Sequence, residues 1–307
     1  MQRVVDLTVP GSELTLQAME TTSIQDALLL VYTGGQSSEV LTLDSQFRET
    51  SRFTVPFLVS WAAIDREIVL GTRQRTKEPS MEVCQFDRMG TRTGVCVRAS
   101  GWLDRLFMEE QAAYGLMGTQ DGGGTKYRLV QFDFVEGRVI PLAPYQVPKN
   151  GSPFLTAGFV HGFVVLDVLT GEAEICAKRN TTCVQTPLLA PVQFELRKTK
   201  APQEGLYRQL FYSQNSLWTV RGRINVYSGF VLDRFDTAGR YLDSRTFEVP
   251  QFAELRLWRS PGAMAATDTT GHMSVSTIAM LGSATVAVDA RAPRRLVVYR
   301  NAALETR

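Results

Sequence analysis

Residues 81–98 read MEVCQFDRMGTRTGVCVR, and the fold is decided there. Two strand-like ends, each carrying a cysteine, flank a run of polar and glycine turn residues, which is the composition of a β-hairpin. Cys84 and Cys96 then stand across the hairpin from one another. Residues 174–185, EICAKRNTTCVQ, repeat the arrangement over a shorter loop, with Cys176 and Cys183 at its ends. Two cross-strand disulfides are expected. A four-cysteine zinc site or a thioredoxin-like redox pair would need C-x-x-C spacing, which neither hairpin has. The alternative is four inert thiols buried in a cytosolic protein.

The end of the first strand in that stretch, a short β run reaching an aspartate and then a turn, recurs along the chain. VLTLDSQFRE holds Asp44, EVCQFDRMGT Asp87, LVQFDFVEGR Asp133, VVLDVLTGEA Asp167 and VLDRFDTAGR Asp236. Gly90, Gly137, Gly171 and Gly239 supply the left-handed position such turns need. A sixth, degenerate copy is RRLVVYRNAALETR at the C-terminus. A second phrase, a strand followed by Val-Pro, recurs at Val9-Pro10, Val55-Pro56, Val147-Pro148 and Val249-Pro250, at intervals of 46, 92 and 102 residues. Halving the longer intervals gives one unit every ~46–51 residues, and the missing midpoints fall near Gly101 and Pro187, the ends of the two cysteine hairpins.

Helical patterning is nearly absent. Leu103–Leu116 has apolar spacing suited to a helical turn or two, and residues 251–258 suit another. Elsewhere β-branched and aromatic residues alternate with polar ones between closely spaced turns. Units of this length with about four strands have the size of a propeller blade. The chain of 307 residues is accounted for by six of them. The expectation is an all-β, six-bladed β-propeller of four-stranded antiparallel blades, a single domain over residues 1–307. RVVDLTVPG at the start reads as the last strand of a unit whose other strands lie at the C-terminus, so the N-terminal strand completes the C-terminal blade and closes the ring.

Charge and apolar runs exclude several functions. With 33 Lys+Arg against 31 Asp+Glu the net charge is +2, and no basic run tracks phosphates, so nucleic acid is not an expected partner. The longest apolar runs, Ala27–Tyr32 and Phe163–Leu166, fall far short of the roughly 20 residues of a membrane span. The cysteine hairpins point to a periplasmic or secreted protein, a signal sequence having been removed ahead of Met1.

The repeat with its hydrophobic-Phe-Asp-x-x-Gly hairpin resembles six-bladed propellers of the NHL-like and YWTD-like kind. The resemblance implies a fold and leaves the chemistry open, because such propellers include binders, receptor modules, lyases and lactonases. It places function near the central channel, on the face that carries the connectors following each Val-Pro. Trp61, Trp102, Asp104, Arg105, Arg256 and Trp258 fall in those connectors and are the candidate binding residues for a protein partner or a small or carbohydrate ligand. Tryptophans wedged between blades as packing are the competing reading.

No cofactor is expected on the binding reading. The enzymatic alternative is a lactonase-like hydrolase with one divalent cation, such as calcium, held in the channel by oxygen ligands drawn from Asp65, Glu67, Asp121, Asn215 and Asp268. His161 and His272 are too few for catalytic zinc. A structural accessory subunit of a larger assembly is the third reading.

Overall fold

The computed structural model describes residues 2–8, 14–22, 24, 26–74, 80–109, 111–121, 124–145, 154–159, 162–168, 170–177, 183–191, 207–222, 229–248, 278–282, 284–288 and 295–300. These form twenty-four strands in six four-stranded sheets, every neighbouring pair antiparallel. The N-terminal strand is β1 (Gln2–Asp6). Blade 1 runs from β2 (Thr15–Thr21) through β3 (Ala27–Gly34) and β4 (Ser37–Asp44) to β5 (Glu49–Val55). Blade 2 has β6 (Trp61–Ile64), β7 (Ile68–Gln74), β8 (Ser80–Phe86) and β9 (Val97–Ser100). Blade 3 has β10 (Trp102–Glu109), β11 (Ala112–Asp121), β12 (Gly124–Asp133) and β13 (Arg138–Tyr145). Blade 4 comprises β14 (Phe154–Phe159), β15 (Gly162–Asp167), β16 (Glu172–Ala177) and β17 (Cys183–Pro187). Blade 5 comprises β18 (Tyr207–Ser213), β19 (Ser216–Gly222), β20 (Gly229–Phe235) and β21 (Tyr241–Glu248). Blade 6 takes β22 (Ile278–Leu281), β23 (Ala284–Val288) and β24 (Arg295–Arg300) from the C-terminal region and β1 as its outermost strand. Val4 lies opposite Val297, and Arg295 Nε donates to Asp6 at 3.0 Å across the same seam.

Burial on both sheet faces explains the uninterrupted apolar runs. In β3, Leu28, Leu30 and Tyr32 face one neighbouring blade while Leu29 and Val31 face the other, so every side chain from Ala27 to Tyr32 is buried. Such a strand cannot alternate apolar with polar. Each of the six core clusters lies between two successive blades, and the sixth joins Ala279, Val286 and Val298 of blade 6 to Leu16, Leu28 and Leu41 of blade 1. The core is therefore a ring of junctions around an axis.

The repeated aspartates cap the outer turns. Oδ1 of Asp44 accepts from the backbone N–H of Gln46 and Arg48, that of Asp87 from Met89 and Thr91, that of Asp133 from Val135 and Glu136, and that of Asp236 from Ala238 and Arg240, all within 3.1 Å. These four sit in the turn between third and fourth strands. Asp167 accepts from Thr170 N–H in the same manner, but in the turn between second and third strands, at the opposite face of the ring. Its motif is the same and its place in the blade is not. The equivalent outer turn of blade 4 is the Cys176–Cys183 hairpin.

Both expected disulfides are present, Cys84–Cys96 and Cys176–Cys183, and no cysteine is free. Of the Val-Pro phrases, Val55 ends the outer strand β5, while Val9-Pro10, Val147-Pro148 and Val249-Pro250 lie outside the described residues, as do residues 251–258. The inferred unit ends near Gly101 and Pro187 match the ends of β9 and β17.

The helical expectation for Leu103–Leu116 is corrected: the segment is a β-hairpin, β10 against β11. The register steps from Leu103–Met117 to Arg105–Leu116, leaving Asp104 as the extra residue of a β-bulge. That insertion puts Leu103 and Leu106 into the same core cluster three residues apart, which imitates helical spacing in the sequence.

Candidate ligand-binding channel

The six innermost strands, β2, β6, β10, β14, β18 and β22, enclose a cavity of about 90 Å³. Each contributes to its wall: Glu20, Ile64, Arg105, Ala157, Gln209 and Ala279 in blade order. Ala63, Ala157, Gly158 and Ala279 are among its lining residues, the three alanines also belonging to the cores between blades. The lining lies toward the ends of β2, β6, β10 and β14, so the cavity belongs to the half of the ring nearest the inner-to-second-strand turns.

Bulges aim the polar groups. The inner strands of blades 1, 3 and 5 each carry one extra residue, at Gln17, Asp104 and Arg208. A one-residue insertion swaps the faces that successive side chains take. Arg105 and Gln209 each directly follow such a bulge, and both line the cavity. Gln209 then spends its amide on the next blade: Nε2 donates to Ile278 O at 2.7 Å and Oε1 accepts from Ile278 N–H at 3.3 Å. Arg105 reaches past blade 2 altogether. Its Nη2 donates to Glu20 Oε2 at 2.8 Å, an ion pair between blades 3 and 1 with only 21% and 18% of the two side chains exposed. Arg105 Nε is closed off from solvent and has no hydrogen-bond partner.

Burial dominates the titration of the carboxylates here. Desolvation pushes the Glu20 pKa up, and the Arg105 charge and hydrogen bond pull it back in part. Asp104, whose Oδ2 accepts from Thr156 Oγ1 at 2.9 Å across the blade 3–4 junction, is raised by burial to about 6, against the opposing effects of Thr156 and Arg105. Four aromatic residues, Phe107, Phe159, Phe211 and Tyr212, complete the wall between blades 3 and 5, with Phe159 and Tyr212 rings 5.8 Å apart.

The residues singled out in the sequence divide as follows. Asp104 and Arg105 lie on the innermost strand β10 and not on a connector; Arg105 lines the cavity, and Asp104 is not among the lining residues. Trp61 and Trp102 open innermost strands at the connector end and are not among the cavity residues. Each indole lies against a glycine directly across the hairpin, Trp61 on Gly71 and Trp102 on Gly118, where a Cβ would stand 3.1 Å and 2.5 Å from ring atoms. Trp102 also meets Tyr127 edge-on at 6.2 Å. Arg256, Trp258, His161, His272 and Asp268 lie outside the described residues.

The cation candidates do not converge among the described residues. Asp65 and Glu67 share a turn of blade 2, Glu67 accepting from Gln85 Nε2; Asn215 sits in a turn of blade 5, accepting from Tyr212 OH at 3.1 Å; Asp121 ends β11. The one group of three potential ligands found there, Glu174 with Cys176 and Cys183, has both sulfurs committed to a disulfide. Glu20, Thr156 and Gln209 escaped the sequence reading. Glu20 left a weak signal, a lone carboxylate ending the otherwise apolar Ala18-Met19 step of a buried strand.

Fold and channel together define the class: a six-bladed β-propeller with a polar cavity on its axis. No family model matches the chain, and no curated protein matches it. Among solved structures, it is similar over 98% of its length to all of the β-propeller domain of Cps50 (Swd1) from Myceliophteria thermophila, at 10% identity and a TM-score of 0.53. It is likewise similar over 99% of its length to 96% of a luciferin-regenerating enzyme, at 11% identity and a TM-score of 0.52. The periplasmic gluconolactonase PpgL of Pseudomonas aeruginosa is matched over 97% of this chain and 91% of that one, at 12% identity and a TM-score of 0.47. The first two likenesses show the propeller fold, in agreement with the resemblance read from the repeats; function is not carried by identities this low. No helix among the described residues is long and apolar enough to cross a membrane.

Proposed function

We propose that the protein is a non-catalytic binding propeller of an extracytoplasmic compartment, with its ligand site in the central cavity at the Arg105–Glu20 pair. One observation carries the reading: a cavity walled by all six innermost strands holds a largely buried ion pair between two non-adjacent blades. A pair of charges taken out of water weakens a fold as often as it strengthens one, so its placement beside a cavity favours recognition. Small-molecule sites likewise combine apolar wall with directed polar groups. The two disulfides support the compartment, since such bridges persist where conditions are oxidising.

The test is a small-molecule thermal-shift screen on wild type and on the double variant Glu20→Gln/Arg105→Gln, which keeps both positions polar and removes both charges. Ligand at 100 times its Kd adds about 2.7 kcal/mol to folding stability. Hits on the wild type that weaken at least tenfold in a folded double variant support the channel. Hits that bind both proteins equally place the site elsewhere.

A further inference from the structure

The ion pair on the cavity wall constrains what can enter. A ligand carrying only a carboxylate would draw Arg105 away and leave Glu20 unpaired beside the cavity; a ligand carrying only an ammonium would strand Arg105 in the same way. Either outcome carries the penalty of an uncompensated buried charge. A ligand bearing both charges replaces one internal pair by two intermolecular ones and leaves no charge unmatched.

Arg105 has a reason to exchange partners. Only its Nη2 meets Glu20, while its Nε–H is closed off from solvent without an acceptor. An unsatisfied buried donor is destabilising, and a carboxylate taken bidentately through Nε and an Nη atom removes that cost. The cavity lining combines Leu106, Phe107, Met108, Phe159 and Phe211 with polar groups, among them a second carboxylate, Glu109. Size sets a further limit, since a dry cavity of about 150 Å³ accommodates a benzene ring, so one of about 90 Å³ encloses only a few ligand atoms.

We infer that the ligand is a small zwitterion of the α-amino-acid class, its carboxylate on Arg105, its ammonium on Glu20 and a short apolar side group against the aromatic wall. The inference rests on the channel reading above and adds the ligand's chemistry to it.

Calorimetric titration of the full chain with glycine, L-alanine, L-2-aminobutyrate and L-valine, and with the amide and N-acetyl form of each, tests it. At least one free amino acid is expected to bind with Kd below about 1 mM, and its amide and N-acetyl form at least tenfold more weakly. Glu20→Gln should abolish the preference for the free amino acid over the N-acetyl form, its fold checked by circular dichroism. An amide or N-acetyl form binding as tightly as its parent overturns the zwitterion while leaving the channel standing, as does failure of all twelve compounds when the wider screen finds another ligand sensitive to Glu20→Gln/Arg105→Gln. Failure of all twelve with no such ligand overturns both.

Discussion

At the residue scale, Asp104 and Asp44 show one side chain type pushed in opposite directions. Backbone N–H groups of Arg48 and Gln46 hold the Asp44 carboxylate below its ordinary pKa, so the turn's contribution is present at neutral pH and lost as pH falls below about 4. Burial lifts Asp104 to about 6, so its ionised form opposes folding above that pH, and the opposition is relieved as pH falls from about 6 toward 4. Asp104→Asn, which can still accept from Thr156, should therefore raise stability at pH 7 by roughly 1–2 kcal/mol and not at pH 4. That is less than ~1.4 kcal/mol per pKa unit would give, because the residue keeps partial exposure. Denaturant unfolding of both proteins at the two pH values checks it; an equal effect at both would contradict the burial account. Gly90 is a second such site. Its φ is 86°, and a Cβ there would lie 2.4 Å from the Phe53 ring of the preceding blade. Gly90→Ala should cost about 2–4 kcal/mol, from the strained backbone together with the clash, read from the denaturation midpoint.

Elements explain what could be read in advance and what could not. The aspartate turns were legible because a turn is a local event, closed by an Oδ1 and N–H groups two to four residues on. The cysteine hairpins were legible for the same reason. Each bridge closes a short loop, and removing either by Cys→Ser in both positions should cost about 2–3 kcal/mol on the loop-entropy account. Thiol titration of the unfolded, unreduced wild type should find no reactive cysteine. The bulges were not legible, since an inserted residue leaves composition unchanged and shifts only register; at Asp104 it produced helix-like spacing in a strand. For that reason Asp104 and Arg105 were found as candidates but assigned to a connector, while their partners Thr156 and Glu20, separated from them by 52 and 85 residues, were missed. Trp102 tells the same story. Its contact with Gly118 makes Trp102→Ala a packing change expected to cost about 2–4 kcal/mol by thermal or denaturant unfolding. A stable variant with impaired ligand binding would return Trp102 to the rim.

For the whole molecule, closure is what gives the channel its shape. β1 and β24 come from opposite ends of the chain, and without β1 the sixth blade keeps an unpaired edge. Val4 and Val297 are cross-strand partners, at a spacing compatible with a disulfide. Val4→Cys/Val297→Cys should cross-link on oxidation, with a mass loss of about 2 Da, and raise Tm; free thiols after oxidation would contradict the seam. The closed ring holds Glu20 and Arg105 on opposite sides of blade 2, so the site exists only in the assembled circle. The most direct measurement is a crystal structure with the tightest small molecule from the screen. The account predicts it on the axis, within hydrogen-bond distance of Arg105 and Glu20 and with their mutual contact broken. A ligand on the connector rim beside Trp61 and Trp102, with the ion pair intact, would contradict it.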